Sequence, residues 1–197
     1  MTTTIKMQTR GRPRRFDPDE GVAVAQKLFH ARGYDAVGVA DITAALGINP
    51  PSFYAAFGNK MGLYGRVLDR YAVTGAIPLA DLLRPDRRVA TCLGAVLEEA
   101  ARRYAANPDA TGCLVVEGVR SDDPEARAAA CVFQRGAEDV IRSYIAARHP
   151  DRADEVTDFV GATMAGMSAK ARSGISFDRL MAIAKLAETA LEQSLQE

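Results

Sequence analysis

Residues 42–60 read Ile-Thr-Ala-Ala-Leu-Gly-Ile-Asn-Pro-Pro-Ser-Phe-Tyr-Ala-Ala-Phe-Gly-Asn-Lys, and no other stretch constrains the fold of this chain as tightly. Val39, Ile42 and Leu46 fall on one face of a short helix, and Gly47 stops it by taking a backbone conformation other residues avoid. Asn49 caps a second short helix, with Pro50 at the first helical position, where a missing N–H is harmless. Phe53 and Phe57, four residues apart, share the inward face, so Tyr54 points the other way. A further helix opens near Asn59 and carries Lys60 in its first turn. The stretch is a helix, a tight turn and a second helix.

The rest of the chain repeats the helical period. Asp17, Pro18 and Glu20 form a helix start, Val22, Ala25, Leu28 and Phe29 form its apolar stripe, and Gly33 ends it. Tyr64, Val67, Leu68 and Tyr71 stripe the helix after the turn. Gly75, Pro78 and Pro85 break the pattern over residues 74–88, which reads as a joint. Beyond it lie stripes through Leu93–Tyr104, Phe133–Tyr144, Val156–Met167 and Leu180–Leu191, with a shorter helix beginning near Thr111. No alternating strand pattern appears. The chain reads as all-α, about nine helices: a basic arm (1–15), a three-helix helix-turn-helix head closed by the helix that follows it (16–72), and a helical body (73–197).

Charge separates these parts. The chain is formally neutral, yet residues 1–15 hold Lys6, Arg10, Arg12, Arg14 and Arg15 with no acid, while the other 182 carry 20 basic and 25 acidic side chains. A basic arm on a mildly acidic body fits a polyanionic partner met at one end. The 18 residues from 42 to 59 carry no charge at all. Two short helices joined by a tight turn are widely used to set the second helix in the major groove of DNA. On this reading Asn49 and Ser52 offer hydrogen-bonding groups to base edges or phosphates, and Pro50, Pro51 and Ala55 suit thymine methyls. The Tyr54 hydroxyl and the Lys60 ammonium face phosphates. Arg10, Arg12 and Arg14 enter the adjacent minor groove, where A·T-rich narrowing deepens the negative potential.

Residues 12–72 resemble the N-terminal domain of the TetR/AcrR family of transcriptional regulators. The resemblance rests on Phe16-Asp17, Leu28-Phe29, Gly33-Tyr34, Asp41-Ile42, Leu46-Gly47-Ile48, Ser52-Phe53-Tyr54, Phe57, Lys60 and Leu63-Tyr64. It implies operator phosphate contacts at Tyr54 and Lys60 and base contacts over residues 49–52. It also implies a helical body that dimerises and binds a small inducer. One departure stands out: Val37 and Gly38 occupy positions where such proteins commonly carry a capping hydroxyl pair.

In the body, residues 159–169 hold no charge around three helical turns, whereas a surface helix needs a polar face. This places Gly161, Met164, Ala165, Met167 and Ser168 at a two-fold interface. Leu180, Ala184, Ala187 and Leu191 of the last helix join them in an intersubunit four-helix bundle. Leu97, Tyr104, Cys113, Val116, Phe133 and Tyr144 are the expected lining of a pocket for a small apolar effector. The three cysteines, odd in number, fit free thiols in a reducing cytoplasm. No apolar leader and no membrane-length run occurs, so neither export nor membrane insertion is expected. Neither His30 nor His149 falls in a metal-ligand spacing, and no cofactor is expected.

The expected function is a homodimeric repressor that leaves a palindromic double-stranded DNA operator when a small apolar ligand binds. A regulator without an effector, or an activator, fits the same head. A helical enzyme or adaptor is a distant alternative: the chain has no phosphate-binding loop, His-Glu-x-x-His or nucleophile motif, and an adaptor leaves the arm, Tyr54 and Lys60 unexplained.

Overall fold

The helices of the first 60 residues begin or end at local chemical signals. In the computed structural model, which describes residues 16–196, ten α-helices and one 3-10 turn follow one another, with no strand among the described residues. The Asp17 carboxylate accepts from the Asp19 N–H at 2.9 Å and opens α1 (Pro18–Arg32). Gly33, at φ +78°, ends it. The next two helices are α2 (Val39–Leu46) and α3 (Pro50–Phe57), and Gly47 between them sits in the left-handed region at φ 63°. Asn59 caps α4 (Lys60–Thr74) by accepting from Gly62 N–H at 2.6 Å.

The body comprises α5 (Leu79–Leu82), α6 (Val89–Ala105), α7 (Leu114–Gly118), α8 (Pro124–Ala146), α9 (Ala153–Arg172) and α10 (Phe177–Leu195), with the 3-10 turn Pro150–Arg152 before α9. The proline-broken joint is therefore not wholly irregular: α5 forms one helical turn within it.

Two apolar clusters hold the chain together. The first gathers Phe29, Ile42, Phe53, Phe57, Leu63, Tyr64 and Leu68 from α1–α4. Phe29, Tyr34 and Tyr64 meet ring to ring, with centroids 4.7–5.6 Å apart. Each such pair adds about 0.5–1.5 kcal/mol to the burial of its rings. This cluster does not stop at the head, because Leu114 of α7 and Ala126 of α8 are part of it. The second cluster joins α6, α8, α9 and α10 through Leu93, Leu97, Ile145, Val160 and Leu180.

The second cluster corrects one expectation. Met167, Ser168, Leu180, Ala184, Ala187 and Leu191, read from the sequence as interface residues, are all buried inside the protomer. They form the face that α9 and α10 turn toward the rest of the body, which leaves them little surface to offer a second copy. The faces left outward hold Phe159, Ala162 and Gly166 on α9, and Ala182, Leu186 and Ala190 on α10. Gly161, Met164 and Ala165, each half-buried, border a cavity. The uncharged run 159–169 within α9 left the phase of the helix open, and only its packing chose it.

Candidate nucleic-acid interface

Phe53 and Phe57 are buried against the head and fix the rotation of α3. That rotation sends Pro50, Pro51, Ser52, Tyr54 and Ala55 to the surface. Tyr54 is 51% exposed, its ring edge-on to Phe53 at 5.3 Å. The Asn49 side-chain oxygen accepts from Ser52 N–H at 2.9 Å, so the cap holds this oxygen and the amide NH₂ is the part turned to solvent. The outward face of α3 is short, shallow and uncharged.

Lys60, at the first position of α4, does not extend into solvent. Its ammonium lies over the Tyr34 ring, 3.8 Å from the centroid. Partial burial lowers its pKa, against the opposing pull of Asp35 and Asp123. Burial, with help from the nearby carboxylates, pushes the Tyr34 phenol up to about 12. Arg10, Arg12 and Arg14 lie outside the described residues.

At the entry to α2, Val37 is fully buried and Gly38 takes the N-cap position. No side chain caps α2 at Gly38; instead the Asp41 carboxylate reaches back and accepts from Gly38 N–H at 2.8 Å and from Arg32 of α1 at 3.1 Å. Those bonds, the Gly38 N–H first, hold the Asp41 carboxyl below its usual pKa. Arg32 also donates to the Ala36 carbonyl at 2.6 Å. The sequence carried a signal for this, an acid three residues after a cap, which is half of a capping box.

Polar contacts tie this head to the body. The Asp35 carboxylate accepts from the Ser121 hydroxyl at 2.8 Å and from the N–H groups of Asp122 and Asp123 at 3.0 and 3.4 Å. Desolvation opposes its ionisation, but those three bonds together lower its pKa. Arg172 of α9 donates to the His30 and Ala31 carbonyls at the end of α1, at 3.0 and 3.3 Å, and meets Glu117 at 3.3 Å. His30 Nε2 lies 3.0 Å from the Gly112 carbonyl, which can only accept, so that nitrogen carries the proton. Burial lowers the His30 pKa, and Arg172 adds to the effect. Asp35 and Arg172 were missed in the sequence because their partners lie 55 to 142 residues away.

Beside this junction, a cavity of about 180 Å³ opens between α4, α6, α8 and α9. Of the residues expected to line a pocket, Tyr104, Cys113, Val116 and Phe133 border it. Leu97 does not, being fully buried in the body core. Tyr144 does not either; its hydroxyl donates to the Arg84 carbonyl at 2.8 Å and Arg148 lies over its ring. Tyr71 of α4, Ile141 of α8 and Met164 of α9 are among the other wall residues. The Tyr71 hydroxyl donates to Cys113 Sγ at 3.5 Å, and its ring meets His30 edge-on at 5.6 Å. The cavity wall thus touches the same segments that bind head to body.

Comparison with known proteins decides the family. Residues 22–67 match the model of the bacterial regulatory proteins, tetR family. The chain is 53% identical over 197 residues, the full length of both, to the HTH-type transcriptional repressor BdcR of Escherichia coli (strain K12). The chain belongs to the TetR family. It is also 31% identical over 194 residues to the E. coli (strain K12) repressor ComR, covering 93% of this chain and 92% of ComR. Its fold superposes on the TetR-family regulator CifR, solved as a cysteine mutant with 26-base-pair operator DNA. The TM-score is 0.81 at 28% identity, over 91% of this chain and 99% of that one.

Membership makes this chain a DNA-binding transcriptional regulator rather than an enzyme, with a helix-turn-helix head and a helical body, as the sequence implied. At the Val37-Gly38 departure from the family pattern, Asp41 instead holds the Gly38 N–H and the Arg32 guanidinium. Among the described residues, no helix is long and apolar enough to cross a membrane, and no group of three His, Cys, Asp or Glu side chains could hold a metal ion.

Proposed function

We propose that this chain is a homodimeric transcriptional repressor that grips a palindromic operator through α3, the start of α4 and the basic arm, and releases it when a small apolar molecule enters the cavity. In this reading residues 1–15 are the minor-groove arm, 16–72 the DNA-reading unit, and 73–197 the ligand-binding and dimerising unit. The observation that carries it is the outward face of α3, where Pro50, Pro51, Ser52 and Tyr54 present a shallow reading surface while Phe53 and Phe57 lock its rotation. Repression, rather than activation, is supported by the two relatives named as repressors. The work of such a protein lies in the cytoplasm, where the DNA is.

Lys60 shifts from Tyr34 to a phosphate on binding. An exposed cation–π contact contributes about 0.5–1 kcal/mol, and a hydrogen bond between charged groups about 1.5–3. The outward stripes of α9 (Phe159, Ala162, Gly166) and α10 (Ala182, Leu186, Ala190) meet their two-fold mates, and the recognition helices then sit about 34–36 Å apart. Helix α4 carries Lys60 at one end and Tyr71, in the cavity wall, near the other. A ligand pressing on Tyr71 therefore biases the position of the DNA-facing end, a population shift between two spacings.

The test is fluorescence anisotropy on an operator selected from random duplexes. Tyr54→Phe combined with Lys60→Ala is expected to lose about 2 kcal/mol or more, roughly thirtyfold in affinity. Unchanged affinity sinks the assigned phosphate contacts. Deleting residues 1–14 is expected to lower the log–log salt slope by about 0.9 for each phosphate that the arm neutralises. An unchanged slope makes the arm a mere tail.

A further inference from the structure

The cavity between α4, α6, α8 and α9 contains a chemical asymmetry that packing alone does not explain. Its walls are mainly hydrocarbon and aromatic, including Phe133 and Met164. Yet two phenols, Tyr71 and Tyr104, border it beside the thiol of Cys113. Tyr104 is 2% exposed, and within the protein its hydroxyl has only the weakly hydrogen-bonding Cys113 sulfur beside it, with no oxygen or nitrogen partner. The neighbouring Cys113 sulfur is a weak acceptor and already takes the Tyr71 hydroxyl at 3.5 Å. The proton left over is that of Tyr104. Buried polar groups are nearly always satisfied, and this exception, unlike the Tyr64 hydroxyl, belongs to a residue that borders a cavity able to admit a partner.

We infer that the cavity recognises an uncharged oxygen compound, a ketone or a close relative, whose single acceptor takes the Tyr104 hydroxyl while its hydrocarbon part lies against Phe133 and Met164. This deepens the ligand-released reading above and rests on it. Burial holds both phenols well above their ordinary pKa, so they remain donors throughout the physiological range. An anionic ligand is disfavoured, because the Glu138 carboxylate borders the same space. The size follows from the volume. A cavity of 150 Å³ lined by aliphatic and aromatic groups holds benzene, so about 180 Å³ fits a guest of about seven to nine non-hydrogen atoms.

Two matched pairs of probes isolate the hydrogen bond: cyclohexanone with methylenecyclohexane, and acetophenone with α-methylstyrene. Each pair keeps its shape and exchanges C=O for C=CH₂. Affinities for the intact dimer come from calorimetric titration of wild type and Tyr104→Phe, with operator release followed in parallel by anisotropy. Tyr104→Phe is expected to weaken each ketone about tenfold and leave each hydrocarbon within about twofold. Because the hydroxyl removed has no oxygen or nitrogen partner, the variant is also expected to melt no lower than wild type.

Equal effects on both members of a pair, or no effect on the ketones, overturns the acceptor assignment, as does a wild type that binds neither ketone. Ketone binding that depends on Tyr104 but leaves the operator complex intact has a different meaning. It upholds the recognition and removes the release mechanism proposed above.

Discussion

Replacing Gly118 by alanine adds one methyl group at the seam where the head meets the body. Gly118 ends α7, and its Cα faces the Tyr64 ring of α4 and the Ala130 methyl of α8. A Cβ there would press directly on the Tyr64 hydroxyl and lie 2.8 Å from Ala130 Cβ, inside any real carbon contact. Tyr64 is 1% exposed and Ala130 fully buried, so neither can step aside into solvent. Overpacking of this kind costs about 1–3 kcal/mol. Exchanging glycine for alanine in a helix returns about 1 kcal/mol through propensity. Two simultaneous contacts, on Tyr64 and on Ala130, put this site in the upper half of the overpacking range, so a net loss of about 1–2 kcal/mol is expected. In a protein of this size that lowers Tm by about 2–8 °C.

Tyr64→Phe supplies the internal check. Its hydroxyl is buried without a partner, so removing it is expected to leave stability unchanged or slightly raised. It also removes the atom that the new methyl strikes, while the clash with Ala130 persists. The double variant is therefore expected to recover about half of the loss, a coupling on the order of 1 kcal/mol in a urea-denaturation cycle. Two results refute the reasoning: Gly118→Ala as stable as wild type, or a double variant whose loss is the plain sum of the two singles.

Leu186→Glu places a charge on the outward face of α10. Leu186 is 73% exposed in the protomer, so the fold is expected to lose no more than about 0.5 kcal/mol. The dimer is expected to dissociate in sedimentation velocity at micromolar concentration, and a persistent dimer moves the interface elsewhere. His30 makes the junction sensitive to mild acid. Its folded pKa is depressed by burial, so below the ordinary value near 6.5 the unfolded chain binds the extra proton and stability falls as pH drops. Asp35 and Asp41, with lowered carboxyl pKa values, lose their contribution only below about pH 4, outside this window. Wild type is expected to lose more Tm between pH 7.5 and 5.5 than His30→Gln; parallel losses remove His30 from that role.

The helices, their stops and the family of this chain were legible without coordinates, because caps, glycine stops and apolar periods act over four residues or fewer. Asn49, Gly47 and Asn59 mark boundaries through bonds to their own neighbours, and the Phe53–Phe57 pair sets which side of α3 faces out. The arm and the uncharged reader stood out as composition alone. Tertiary structure decided whatever depends on distant partners. It turned Leu180, Ala184 and Leu191 inward where an interface was expected, because a helix with small apolar residues on several sides has no preferred phase until something packs against it. It laid Lys60 over Tyr34, bound Asp35 to the start of α8 and left the Tyr104 hydroxyl without an oxygen or nitrogen partner at a cavity. None of these has a local signature. Each arises from the meeting of segments far apart in the chain, where burial and geometry, rather than spacing, select the contacts.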